Sequence, residues 1–229
     1  RPDGSGLEPV MTGGMDNPVD VTFTPGGERI FSTTFFHQPG GGMRDGLAHA
    51  VYGGIYGKVN RVLDAPVHQW TSPHLMPVLL HMGPAAPSGL HRLESNALGD
   101  EYQDDLFACY FNLHKVGRHK LAPAGATFAT QDEDFVTSAD LDFHPTDVIE
   151  DADGSLLVID TGGWYKLCCP SSQLSKPDEL GGIYRVRRSG AKPIDDPRGL
   201  RIDWANQTPA ELAKLLGDHR PAVRHRAVA

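Results

Sequence analysis

Asn17-Pro18-Val19-Asp20-Val21, followed by Pro25-Gly26-Gly27 and the apolar pair Ile30-Phe31, returns as His144-Pro145-Thr146-Asp147-Val148, then Ala152-Asp153-Gly154, then Leu157-Val158. The two copies share one internal spacing with no gap. In each, β-branched and apolar residues flank a glycine where a tight turn needs positive φ, so each predicts strand, turn, strand. A third segment has similar grammar: Pro87-Ser88-Gly89-Leu90, then Asp104-Asp105-Leu106-Phe107-Ala108-Cys109-Tyr110, then Gly117-Arg118-His119-Lys120-Leu121. Self-similar β units recurring along a chain bury their faces against one another, as the blades of a propeller do. The fold class expected is all-β: a partial six-bladed β-propeller of about three blades.

A six-bladed ring of four-stranded blades needs on the order of 300 residues. This chain has 229, so a whole ring does not fit. Its turn-like start at Arg1 and its stop at Ala229 inside a helical pattern read as a fragment of something longer. Hydrophobic content of 39%, with 26 Gly and 18 Pro, suits a loop-rich β protein. The longest apolar runs, such as Leu75-Met76-Pro77-Val78-Leu79-Leu80, are too short to span a bilayer, so no direct membrane insertion is expected. A net charge of −8 opposes binding to phosphate backbones, which argues against nucleic acid as a partner. Three cysteines, with Cys168 and Cys169 adjacent, make no disulfide framework and no paired Cys-x-x-Cys zinc site. Cys-x-x-Cys-His is absent, so any haem belongs to a domain outside this fragment.

Residues 1–190 form the expected β region, interrupted at 37–81 by an insertion rich in Gly, His and Pro. Residues 191–206 read as a linker. From 207 to 229 the pattern is helical: Thr208 caps, Pro209 takes the first helical position, Glu211 completes a capping box, and Leu212, Leu215 and Leu216 share a face. A second short helix starts near Pro221. Two such helices leave an apolar stripe uncovered, which reads as the opening of a helical-repeat array.

Several residue groups can carry chemistry. His144 and Asp147 fall where an innermost strand begins, at the rim of a central channel, and can act as an acid/base pair. Asp147 has a structural reading too, because Asp20 repeats it in the other copy. The insertion supplies Arg44, Asp45, His49 and His81 as pocket-lining candidates, with His68 and His74; no pair there has a strong metal-ligand spacing, so no metal residue is assigned. Arg118 and His119 alternate along a strand, so only one faces the channel. Asp151-Ala152-Asp153-Gly154 resembles a calcium loop in composition, but Asp-Gly is a favoured hairpin turn and the other copy has Gly26-Gly27 with no carboxylates. Trp164 and Tyr165, after Gly162-Gly163, can stack on a sugar or fill space between blades.

Ala86-Pro87-Ser88-Gly89-Leu90, Asp105-Leu106-Phe107, Asp153-Gly154-Ser155-Leu156-Leu157-Val158 and Gly182-Ile183-Tyr184-Arg185 together resemble the last blades of the soluble glucose/sorbosone dehydrogenase propellers. Asn17-Pro18 with Phe23 and Gly27 resembles the Arg-Asn-Pro strand of that family. The run from His144 to Arg188, with Asp160-Thr161-Gly162-Gly163-Trp164-Tyr165, is similar to the propeller of PVC-type membrane-bound dehydrogenases, which continue into HEAT repeats and a cytochrome c. Leu212 to Arg226 resembles the first HEAT repeat. The resemblance implies an oxidoreductase acting on a sugar or polyol, with electrons passed to a cytochrome c domain of the parent chain, in the periplasm or cell envelope. The alternative is a noncatalytic propeller that binds carbohydrate or a protein.

The resemblance also implies pyrroloquinoline quinone, with calcium, as cofactor, and Asn17, Lys115 and Arg118 as its contacts. Substrate contacts would be Arg44, Asp45, His49, His81 and Trp164. A tricarboxylate demands cations. Where the family has Arg before Asn this sequence has Asp16, and His144 and Thr146 stand in place of two further Arg.

Overall fold

The computed structural model of the chain describes residues 1, 3–34, 44–58, 61–66, 70, 73–163 and 176–229. His37, His68, Trp164, Tyr165, Cys168 and Cys169 lie outside the described residues. The fold is mostly β: four small sheets and two short helices, with no closed barrel among the described residues. In chain order the strands are β1 (Thr12–Gly14), β2 (Asp16–Phe23), β3 (Arg29–Thr34), β4 (Asp45–His49), β5 (Ile55–Gly57), β6 (Leu80–Gly83) and β7 (Pro87–Arg92). There follow β8 (Leu106–Tyr110), β9 (Lys115–Ala124), β10 (Thr127–Thr137), β11 (Pro145–Glu150), β12 (Leu156–Gly162) and β13 (Leu180–Val186). Helices α1 (Pro209–Leu215) and α2 (Pro221–Val228) close the chain.

The three main sheets run β2-β3-β4-β6, β7-β8-β9-β10 and β11-β12-β13. Both copies of the repeated motif are hairpins. Gly27 at φ 85° and Gly154 at φ 76° take the left-handed conformation that a side chain disfavours. The first strand of each sheet reads alike: Asn17-Pro18-Val19-Asp20-Val21, Ala86-Pro87-Ser88-Gly89-Leu90 and His144-Pro145-Thr146-Asp147-Val148. In all three the register shifts beside the proline, which has no N–H to lend to the ladder. Asp45–His49, inside the segment 37–81 read from sequence as an irregular insertion, and Leu80–Gly83, which straddles its end, are the third and fourth strands of the first sheet. The glycines and prolines of that segment lie around these strands and hide their pattern.

β2 and β11 lie on either side of β7. The middle sheet is therefore covered on both faces, which explains the unbroken apolar run of β8. Its Leu106, Ala108 and Tyr110 pack with Ile30, Leu47 and Met82 of the first sheet. On the other face Phe107 and Cys109 pack with Val148, Leu156 and Val158 of the third. The outer side of the first sheet is partly covered, Phe31 and Ala48 packing under Tyr56, Met11 and Met15. Beyond that cover, Val19, Val21 and Phe23 on β2 are each about half exposed, and Ile149 and Ile183 are exposed on the outward side of the third sheet.

The expected linker is ordered into the body. Arg198 bonds Asp151 at 2.5 Å, and Arg220 at the start of α2 bonds the Asp196 carbonyl at 3.0 Å. α1 carries the expected capping box: Glu211 N donates to the Thr208 hydroxyl and Thr208 N to the Glu211 carboxylate. α2 is docked by buried Val223 and by Arg224, 3.0 Å from Glu94. No helix among the described residues is long and apolar enough to cross a membrane.

Two tests follow from this packing. A Cβ at Gly89 would sit 2.6 Å from Asp147 Cα and 3.0 Å from Val148 N, both on the neighbouring first strand. Gly89→Ala should therefore lower stability by about 1–3 kcal/mol in urea unfolding. A hydrogen bond from Arg220 pulls the Asp218 carboxyl down to about 2. A depressed carboxyl stabilises above its unfolded pKa and loses that contribution as pH falls through the folded one. The melting-temperature gap between the native chain and Asp218→Asn should be present at about pH 5, shrink below about pH 4 and close near pH 2.

Candidate functional site

All three first strands begin at one end of the sheets, and register carries that level outward. Asp16 pairs with Thr34 and Thr34 with Asp45; Pro87 pairs with Tyr110 and Tyr110 with Lys115; Pro145 pairs with Asp160. Asn17, Arg44, Asp45, Lys115 and His144, spread over more than a hundred residues of sequence, thus come to the same end. His81 lies one register step away, opposite Gly46, and is exposed.

Lys58 also reaches this end, and sequence reading missed it. Its ammonium lies 2.7 Å from Asp16 Oδ2, beside Asn17. The delivery is backbone-on-backbone. β1 and β5 pair in parallel, and a Cβ on Gly57 would come within 2.7 Å of Gly14 and Met15. The signal was in Gly13-Gly14 and Gly57, but glycine pairs do not say which strands they join.

Asp45 is fully buried and accepts the Ala86 N–H at 2.7 Å. Ala86 has φ 46°, a conformation costing about 1 kcal/mol or more for a residue with Cβ. The carboxylate therefore pins a strained corner where β7 begins. Burial pushes the Asp45 carboxyl up, against the pull of the Ala86 amide and of Arg44, whose Nε lies 3.3 Å away.

His144 is 4% exposed. Its N–H donates to Asp160 at 2.8 Å, and its Nδ1 faces the carbonyls of Asp142 at 3.0 Å and Gly162 at 3.1 Å. Two acceptors at Nδ1 place a proton there. The Phe111 and His114 rings pack against it, with centroids 4.8 and 5.1 Å away. His114, at φ 54°, is a second histidine of this end that the sequence did not single out.

Other candidates are placed elsewhere or already engaged. Asp147 accepts the N–H of Val148 at 2.8 Å, facing Gly89 and not His144. Burial raises its carboxyl, and Asp20 adds to the rise. His49 lies at the opposite end, where it joins Glu28 at 2.9 Å to Thr127 at 3.1 Å and so clamps the first sheet to the second. Arg118 faces away from the first strands and gives its guanidinium to Asp105 and Glu133, both at 2.6 Å, and to the Glu101 carbonyl over the Tyr102 ring. His119 is the buried member of that pair, bonded to Asp132 at 2.8 Å. Lys115 holds Asp134 at 2.6 Å. Trp164 lies outside the described residues.

This set does not fit pyrroloquinoline quinone. Arg118 and Lys115, the expected cations, are neutralised by carboxylates, and Asp16 stands where a positive charge is needed. In the Asp151–Gly154 turn, Asp151 and Asp153 are taken up by Arg185, Arg187 and Arg198, as a hairpin turn and not as a cation loop. Among the described residues no group of three His, Cys, Asp or Glu side chains is placed to hold a metal.

A family model described as "Domain of unknown function (DUF7133)" matches residues 60–190. No curated protein matches the chain. Among solved structures it is similar to an oxidoreductase assigned as a glucose dehydrogenase from Thermus thermophilus, with 19% identity, TM-score 0.47, and 63% of this chain and 39% of that one covered. Two further glucose dehydrogenases are similar at 19% identity and TM-score 0.43, covering 76% and 41%, and at 18% and 0.49, covering 76% and 45%. The chain thus spans about two fifths of the length of these structures.

The role of Asp45 as a pin is testable. Asp45→Ala leaves the Ala86 N–H buried without its acceptor and should lower the unfolding free energy by about 2 kcal/mol in urea titration. An unchanged midpoint would remove the pinning role.

Proposed function

The chain belongs to the DUF7133 family, and on that premise we propose that it forms three blades of a propeller-type, dehydrogenase-like module. In this reading the end where β2, β7 and β11 begin binds a sugar or polyol. One observation carries it: the cations identified at this end are matched by carboxylates. Lys58 meets Asp16 at 2.7 Å, Arg44 meets Asp45 at 3.3 Å and Lys115 meets Asp134 at 2.6 Å. Alternating donors and acceptors without excess charge suit a neutral polyhydroxyl ligand, whereas a polyanion needs unmatched cations.

The residue resemblances at Asn17-Pro18 and Gly182-Ile183-Tyr184-Arg185 support the dehydrogenase kinship. The exposed apolar residues Val19, Val21 and Phe23 on the first sheet and Ile149 and Ile183 on the outward side of the third support further blades on both sides. α1 and α2 would open a HEAT-type array. Electrons from an oxidised hydroxyl would pass to a cytochrome c domain of the parent protein, in the periplasm or cell envelope.

A second reading, noncatalytic carbohydrate binding at the same end, is favoured by the burial of His144. A general base must reach the hydroxyl it deprotonates, and this imidazole is 4% exposed with Nδ1 given to backbone carbonyls.

Turnover of a sugar and polyol panel by the full-length parent protein, with an artificial electron acceptor, separates the two; binding without turnover selects the second. Both share one expectation. Lys58→Met and Asp16→Asn should each weaken sugar binding about tenfold in calorimetry, one lost charge-assisted hydrogen bond, while Lys214→Ala on α1 leaves it unchanged. If no sugar or polyol binds the intact protein, both readings fall.

A further inference from the structure

Arg185, Arg187, Arg188, Lys192 and Arg198 fall within fourteen consecutive positions of a chain whose net charge is −8. The fold gathers three of them around one cleft. The Asp153–Ser155 turn forms its floor, Ala97 and Leu98 from the β7–β8 connection form one wall, and the chain entering the C-terminal segment forms the other. Its volume is about 300 Å³, at the small end of the range for ligand sites.

Each arginine at this cleft is paired with one carboxylate through a single amino group, which leaves its other guanidinium N–H groups over, and Lys192 adds a charge that no carboxylate among the described residues matches. Arg187 bonds Asp153 Oδ2 at 2.7 Å through Nη2 alone. Arg188 reaches the Leu98 carbonyl at 3.1 Å and Glu101 at 3.3 Å through Nη1 alone, and Gly99, at φ 128°, leaves room for it. Lys192 has no ion-pair or hydrogen-bond partner among the described residues. Asp153, the carboxylate of the lining, is occupied by Ser155 N–H at 3.0 Å and by Arg185 and Arg187. Burial acts to raise its carboxyl, yet the Ser155 hydroxyl and N–H, and after them Arg187 and Arg185, hold it below the usual range. Beyond Arg187 and Arg188 lies a second cleft of about 340 Å³, walled by Tyr102 and Phe135.

We infer that the cleft between the Asp153–Ser155 turn and Lys192 is a binding site for a small oxyanion ligand, a phosphate ester or a dicarboxylate. The oxyanion takes the remaining guanidinium donors and the Lys192 ammonium, and the aromatic cleft beside it has room for the organic part. The site is at the far end of the third sheet from His144, so it is separate from the sugar-binding end. Because it joins the third sheet to the segment leading into α1, an occupant braces the helices against the β body.

Isothermal titration of the chain with inorganic phosphate and, separately, with malonate at constant ionic strength tests this. Saturable binding of at least one is expected; phosphate alone marks a phosphate-ester site, malonate alone a dicarboxylate site, and both mark the general oxyanion class. Lys192→Ala and Arg187→Ala should each weaken it about tenfold. Lys192→Ala has no protein partner to lose, so its melting temperature should match that of the native chain, and Lys214→Ala should bind as the native chain does. Binding of neither anion above chloride, or an unchanged affinity in Lys192→Ala, overturns the inference.

Discussion

Carboxylates reaching across from one sheet to the backbone N–H groups of the next hold this arrangement together. Asp20 Oδ2 accepts Leu90 N–H at 2.8 Å and Asp45 Oδ2 accepts Ala86 N–H at 2.7 Å, both from the first sheet to the second. Glu150 of the third sheet accepts the N–H groups of Glu94 and Ser95 at 2.6 and 3.1 Å. The first strand of each sheet is an edge, and its outward amides have no ladder partner. Left buried and unbonded, each would cost about 1–3 kcal/mol. A charged acceptor satisfies them with stronger bonds than a neutral one and sets the distance between neighbouring sheets.

That constraint explains the residue types along the first strands. Where Asp20 and Asp147 each bond the next N–H of their own strand, Gly89 occupies the equivalent place in the middle strand and lets Asp147 lie against it. Ser88 adds a bond to the Pro145 carbonyl at 2.9 Å, and Ser32 one to the Ser88 carbonyl at 3.3 Å. Much of the polar content of the interior is thus structural. The proposed site lies beyond these ties, at the strand starts, where Lys58 and Asp16 sit near solvent and their charges remain addressable by a ligand.

The residues that sequence reasoning placed well are those whose role is local. Gly27 and Gly154 turn hairpins, Thr208 and Glu211 cap a helix, and the Asp-Gly turn at Asp153 is a turn, because each depends only on a few neighbouring torsions and hydrogen bonds. The residues it placed less well answer to partners far away in sequence. His49 meets Glu28 and Thr127, Arg118 meets Asp105 and Glu133, and Lys58, which sequence reading passed over, meets Asp16. No spacing rule announces such meetings.

By itself the sequence determined the repeating strand-turn-strand unit and the capped helix at the C-terminal end, because alternation, glycine and capping chemistry act within one element. Tertiary structure alone decided that β4 and β6 complete the first sheet and that the cations expected to be available are neutralised. It also brought Arg187, Arg188 and Lys192 around a single cleft. Those outcomes depend on which sheet faces which, and at that range charge and edge amides choose their partners by distance in space, not by position along the chain.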